Sequence, residues 1–67
     1  MRISYNKLWK MLIDKNMKKS YLKEKAGISS ASIAKLGKGD NITTDVLLRI
    51  CEALDCPLDD IMDTIDE

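Results

Sequence analysis

The stretch that decides the fold of this chain runs from Lys19 to Lys38 and reads KSYLKEKAGISSASIAKLGK. Apolar residues precede Gly27 at helical spacing, and a second apolar set follows it at the same spacing. Gly27 can adopt the positive φ that ends a helix, and Ser29 is a good cap for the next helix. The pattern therefore predicts two short helices joined by a glycine turn, which is the helix-turn-helix layout.

The second helix of this pair is predicted from Ser30 to about Leu36, and its two faces differ in character. Ile33 and Leu36 turn inward. A helix that enters the major groove of DNA needs a slim, polar outer face. Two helices with a Gly turn are also common in helix bundles, so the pattern alone leaves a purely structural role open. The outer face consists of Ser30, Ala31, Ala34 and Lys35.

The flanking sequence predicts three more short helices and no strand. Apolar residues recur at helical spacing, and no window shows the sustained alternation of a half-buried strand. Ser4 and Thr43 are candidate N-caps, and Pro57 suits the first position of a last short helix. Residues 63–67 are expected to fray. The fold class is therefore all-α, with five helices over about residues 5–16, 17–26, 30–36, 44–54 and 57–62.

Length and composition favour one small globular domain over residues 1–67. Of the 67 residues, 45% are hydrophobic, and one Pro and three Gly leave little room for linkers. No apolar stretch is long enough to span a bilayer or to form the apolar part of a signal peptide. The chain has no His and no Gly-rich phosphate loop. We therefore expect a cytoplasmic protein that is not an enzyme and that needs no cofactor or small-molecule effector.

The charged residues are unevenly distributed along the chain. Residues 1–38 contain ten Lys and Arg and two acids, a net charge of +8. Residues 39–67 contain one base and nine acids, a net charge of −8. This asymmetry indicates that the first half faces a polyanion. The alternative is that the solvated faces of the helices differ in sign without any polyanionic partner.

The two cysteines, Cys51 and Cys56, do not predict a metal site. A four-ligand zinc site would need two more nitrogen or sulfur ligands from a chain that has no His. Cys51 falls on the apolar stripe of the fourth predicted helix, so we interpret it as a small core residue. Two unbridged cysteines also fit a reducing cytoplasm.

The residues around this motif also resemble those of a known protein family. Residues 21–62, YLKEKAGISSASIAKLGKGDNITTDVLLRICEALDCPLDDIM, closely resemble the Cro/C1-type (XRE) helix-turn-helix family, especially its small single-domain members. The resemblance implies a five-helix, lambda-repressor-like domain that binds operator DNA as a homodimer and regulates transcription, as a repressor. The likeness runs from about residue 3 to residue 62, and its most telling matches are Leu22, Ala26-Gly27-Ile28-Ser29, Ile33 and Gly39.

The resemblance also implies which residues contact double-stranded DNA. Ser30, Ala31 and Lys35 match the base-facing positions of the family, and Ser32 and Ala34 flank them. Lys35 has the reach to donate to guanine O6 or N7, and the Ala31 methyl group could touch a thymine methyl. The positions that match phosphate contacts are Lys19, Ser29, Lys38 and Asn41.

Two residues depart from the family pattern. Lys18 stands where a Ser or Thr cap is usual, so we expect the second helix to lack a capping side chain, at a cost of about 1 kcal/mol. Lys23 stands where a small residue is usual, and we expect its stem to be buried and its ammonium to reach solvent. The third helix also has no Gln or Asn, so we expect modest sequence specificity.

A different class of function is also consistent with the sequence. The acidic half, residues 39–67, could dock on a basic protein, which would make the chain a protein-interaction module or an antitoxin-like partner. A DNA-reading domain does not need a net charge of −8 in this half. Binding to nonspecific duplex that weakens steeply with salt would distinguish the first hypothesis from the second.

Overall fold

The structure is a computed structural model that describes residues 1–66. Of the helices in these residues, the longest has 11 residues, and none is long and apolar enough to cross a membrane. In chain order the elements are strand β1 (Arg2–Ser4), helices α1 (Asn6–Asp14), α2 (Lys19–Ala26), α3 (Ser30–Lys38) and α4 (Thr44–Leu54), a 3-10 turn (Leu58–Asp60) and strand β2 (Asp63–Ile65).

The ends of α2, α3 and α4 follow the local signals in the sequence. Gly27 ends α2 in the left-handed region, with φ 68°, as its position predicts. Ser29 caps α3 by accepting a hydrogen bond from the Ser32 amide at 3.1 Å. Thr43 caps α4 in the same way, since its hydroxyl accepts from the Val46 amide at 3.3 Å. These three predictions are confirmed because each depends on contacts within a few residues of the chain.

The prediction of five helices and no sheet is wrong at the two ends of the chain. The expected fifth helix is only the single 3-10 turn that follows Pro57. Residues Asp63–Ile65 do not fray but form β2, which pairs antiparallel with β1 in the register Arg2 to Ile65 and Ser4 to Asp63. The pairing draws the chain out of helical conformation soon after Pro57. Glu67, also expected to fray, lies outside the described residues.

Ser4 lies in β1 and not at the cap position of α1. Helix α1 begins at Asn6, and Tyr5 occupies its cap position without a side-chain hydrogen bond. The Ser4 hydroxyl still accepts from the Asn6 amide, at 3.3 Å. The sheet therefore moves the start of α1 by about one residue and leaves Ser4 beside it.

Each of the four α-helices contributes one fully buried side chain to the core. Leu8 of α1, Leu22 of α2, Leu36 of α3 and Ile50 of α4 meet Ile61, which directly follows the 3-10 turn. Burying one such side chain contributes about 1.5–3 kcal/mol relative to its exposed state. The C-terminal segment is therefore part of the core that holds α3 in place.

Candidate nucleic-acid interface

Helix α3 shows one continuous exposed face. Leu36 is buried and Ile33 is half-buried against the core, which fixes the side of α3 that turns inward. Residues spaced at helical intervals then share the opposite side. The exposed residues on that side are Ser30, Ala31, Ala34, Lys35 and Lys38. The face is narrow because all but the two lysines are small, and it ends in positive charge.

Ser29 and Ser32 form a pair at the start of α3. The Ser29 hydroxyl accepts from the Ser32 amide, and the two hydroxyl oxygens lie 3.1 Å apart. If Ser32 donates in that contact, the Ser29 hydroxyl keeps its own hydrogen for a group outside the protein. Ser32 is half-buried, so it lies beside the exposed face and not on it.

The turn between α2 and α3 is tied to α4 by Arg49. Its Nη1 donates to the carbonyl oxygen of Gly27 at 3.3 Å, and its Nε donates to Asp45 Oδ2 at 3.0 Å. Helix α2 also packs against both α3 and α4. Sequence reasoning did not single out Arg49, although it is the one base among residues 39–67. The contact holds the turn at a fixed place on the body of the domain.

Lys19, the first residue of α2, lies over the ring of Trp9. Its Nζ is 4.5 Å from the ring centroid, a cation–π distance. Trp9 is half-buried on α1, and sequence reasoning assigned it no contact with Lys19. No local signal predicts this contact, because the two residues come from different helices. The contact orients the ammonium of Lys19 while leaving the side chain exposed.

The remaining predicted contact residues lie at the edges of the motif. Lys38 is the last residue of α3, and Asn41 lies in the loop that leads to α4; both are exposed.

Helix α2 has no side-chain cap at Lys18, as expected. Lys23 is half-buried, in agreement with a stem packed beneath an accessible ammonium.

Two basic residues of the first half face the acidic C-terminal segment. Lys7 Nζ donates to the carbonyl oxygen of Asp59 at 3.1 Å and lies 3.8 Å from Asp63 Oδ2. Lys10 lines the same depression as Asp59 and Asp60. Part of the +8 charge therefore compensates the acids of the same molecule, and the exposed face of α3 takes its charge from Lys35 and Lys38.

The cysteines lie away from this face and are both free. Cys51 and Cys56 are half-buried against the core. Burial raises the pKa of each thiol above its ordinary value of 9.0. Residues 1–66 contain no cluster of three His, Cys, Asp or Glu side chains that could hold a metal ion.

Comparison with known proteins bears directly on this helix-turn-helix. The family model for the Cro/C1-type HTH DNA-binding domain matches residues 7–67. The chain belongs to that family. A crystal structure of the transcriptional regulator VanUg (form II) superposes with a TM-score of 0.93 and 53% sequence identity, covering 98% of this chain and 88% of the other. Among curated proteins, no sequence matches the chain significantly.

Within this Cro/C1-type domain, the motif predicted over residues 19–38 coincides with α2, its turn and α3. The same residues carry most of the predicted DNA contacts, which the fold brings to two adjoining places. Ser29 to Lys38 lie along α3, and Lys19 begins α2 beside Trp9. The family, the fold and the exposed face of α3 therefore agree on a DNA-binding domain.

Proposed function

We propose that this Cro/C1-type domain, a single unit over residues 1–67, regulates transcription by occupying operator DNA with α3, acting as a repressor. The observation that carries the proposal is the exposed face of α3, whose small side chains allow the helix backbone deep into the major groove. The similarity to a chain described as a transcriptional regulator supports it. Nothing in the proposal requires a cofactor or a small-molecule effector.

Each predicted contact has a role that its position supports. Lys35 is the long donor of the face and reads a base, while the methyl group of Ala31 meets a thymine methyl. Ser30 contacts a base edge at the start of α3. Because the other side chains are short, shape and phosphate geometry carry much of the affinity. Four residues hold phosphates around the helix, namely Lys19, Ser29, Lys38 and Asn41.

A homodimer on DNA completes the proposal. Helix α3 has nine residues and a short exposed face, so one copy reads only a few base pairs. Two copies related by a two-fold axis read half-sites about 10 base pairs apart, or a multiple of that spacing. Sedimentation of the protein with a selected duplex gives the stoichiometry. A one-to-one complex on a site without two-fold symmetry would contradict this part of the proposal.

The test begins with selection of bound duplexes from a random pool, followed by measurement of Lys35→Ala on the preferred and on a scrambled duplex. If Lys35 reads a base, its loss costs about 1–3 kcal/mol on the preferred duplex and less on the scrambled one. Lys10→Ala removes the same charge beside Asp59 and Asp60 and serves as the control. Equal losses on both duplexes would remove base reading from Lys35.

The alternative, docking of the acidic half on a basic protein, predicts a different result in the simplest assay. Asp59, Asp60 and Asp63 are exposed, although Lys7 already lies against part of this segment. An acidic docking module has no affinity for nonspecific duplex even at about 50 mM salt. A DNA-binding domain binds there, and its affinity falls linearly in log K against log salt.

A further inference from the structure

A small polar notch lies between the N-terminal end of α1 and the C-terminal end of α3. Its volume is about 140 Å³, and its walls include Asn6 and Trp9 on one side and Lys38 on the other. Arg2 of β1 borders the rim. None of the notch's lining residues is acidic. We call it the α1–α3 notch, and sequence reasoning assigned nothing to Asn6.

The notch offers two polar groups that the protein itself does not use. Among residues 1–66, neither the side-chain amide of Asn6 nor the ammonium of Lys38 has a hydrogen-bond or ion-pair partner in the structure. The two side chains belong to different helices and are exposed. Both residues line the same notch. An amide N–H and an ammonium are the donors that hold an anionic oxygen.

The walls keep this space open and include no acidic side chain. Gly37 and Gly39 line the notch without side chains, and Gly39 is held near the backbone of β1, where an added Cβ would lie 3.8 Å from the Ile3 carbonyl oxygen. Trp9, on the α1 side, also carries Lys19 on its ring at 4.5 Å. Trp9 therefore lies next to both residues with predicted phosphate contacts, Lys38 in the notch and Lys19 on its ring.

We propose that the α1–α3 notch binds one backbone phosphate of DNA, held by the Asn6 amide and the Lys38 ammonium. Arg2 borders the rim and makes none of the assigned contacts. The inference rests on the proposed DNA-binding function and extends the interface from the helix-turn-helix to the first turn of α1. The site recognises a phosphate and carries no base information, so it positions α3 in the groove.

The experiment uses the full chain and a duplex selected from a random pool. Asn6→Ala removes one hydrogen bond to the phosphate and weakens binding about threefold to tenfold on every sequence. Asn6→Asp places a negative charge in the notch and weakens binding further, by more than tenfold. Lys10→Gln changes the net charge by the same amount on the same helix, beside Asp59 and Asp60, and is the matched control.

A phosphate scan identifies the contact itself. In a series of duplexes, a methylphosphonate replaces one backbone phosphate at a time. At one position we expect the replacement to weaken binding of the wild type. The same replacement should not weaken binding of the double variant Asn6→Ala/Lys38→Gln. Circular dichroism and thermal melting verify that each variant is folded, which we expect because both side chains are exposed.

The results separate this inference from the proposed function. In one outcome the wild type binds duplex with a salt-dependent affinity, Asn6→Ala binds equally well, and Asn6→Asp binds no more weakly than Lys10→Gln. The notch then does not hold a phosphate, and the DNA-binding function stands. If the wild type binds no duplex at low salt, both proposals are overturned. Loss of the methylphosphonate effect in the double variant, with the control unchanged, supports the notch.

Discussion

Replacing Gly27 and Gly37 by Ala, one at a time, tests the turn on which the helix-turn-helix depends. The covalent change is the same, but the two backbones differ. Gly27 ends α2 with φ 68° and ψ 38°, in the left-handed region, whereas Gly37 lies within α3 with no atom within 4 Å of an added Cβ. We expect the two substitutions to change the free energy of unfolding in opposite directions.

The expected magnitudes follow from these conformations. An L-residue in the left-handed region costs roughly 1–2 kcal/mol. The Cβ at position 27 would lie 3.7 Å from Arg49 Nη1, an ordinary contact, so the cost is backbone strain and not a collision. Relieving the strain would move the Gly27 carbonyl oxygen away from Arg49, which donates to it. At position 37, Ala has the better helix propensity and stabilises the protein by about 0.5–1 kcal/mol.

Thermal and urea denaturation measure both variants against the wild type. In a domain of this size, 1 kcal/mol corresponds to about 4–8 °C in Tm. We expect Gly27→Ala to lower Tm by roughly 5–10 °C and Gly37→Ala to raise it by roughly 3–6 °C. Gly27→Asn should lose less than Gly27→Ala, because Asn tolerates the left-handed region. A Gly27→Ala variant as stable as the wild type would refute the left-handed turn.

Three further outcomes are expected. Ser29→Ala removes the α3 cap and lowers the free energy of unfolding by about 1 kcal/mol in urea denaturation, and an unchanged midpoint would contradict the capping contact. Ile61→Ala empties a fully buried site and costs about 2–5 kcal/mol, whereas a peripheral C-terminal segment would lose far less. Because burial raises the thiol pKa of Cys51 and Cys56, their contribution to stability is complete below pH 9.0 and is lost as the pH rises through the folded-state values. The free energy of unfolding, measured between pH 8 and 11 for the wild type and for Cys51→Ala, tests that loss. If it falls equally with pH in both proteins, the thiols do not contribute in this way.

The candidate interface could be predicted only in part from the sequence. The residues of α3 are close together in the chain, so helical spacing and the family resemblance place Ser30, Ala31 and Lys35 on one face. Contacts between residues that are far apart in the chain leave no local pattern in the sequence. Arg49 reaches Gly27 across 22 positions, and Asn6 shares the notch with Lys38 only because the fold brings α1 and α3 together.

The charge pattern shows the same limit. The sequence places ten bases in the first half, but it does not say which of them face outward to a partner. Only the packing of the C-terminal segment against α1 shows that Lys7 lies against Asp59 and Asp63. Charge counted along a chain therefore overstates the positive surface that a polyanion can reach.

By itself, the sequence determined the four α-helices, the glycine turn and the family. Caps, helix-ending glycines and apolar spacing act over three or four residues, so they can be identified from the sequence. Tertiary structure alone decided the conformation of both ends. Strands Arg2–Ser4 and Asp63–Ile65 are three residues each, too short to show alternation, and each is extended because the other supplies its hydrogen bonds. A strand pair of that length exists only when the folded body brings its two halves together.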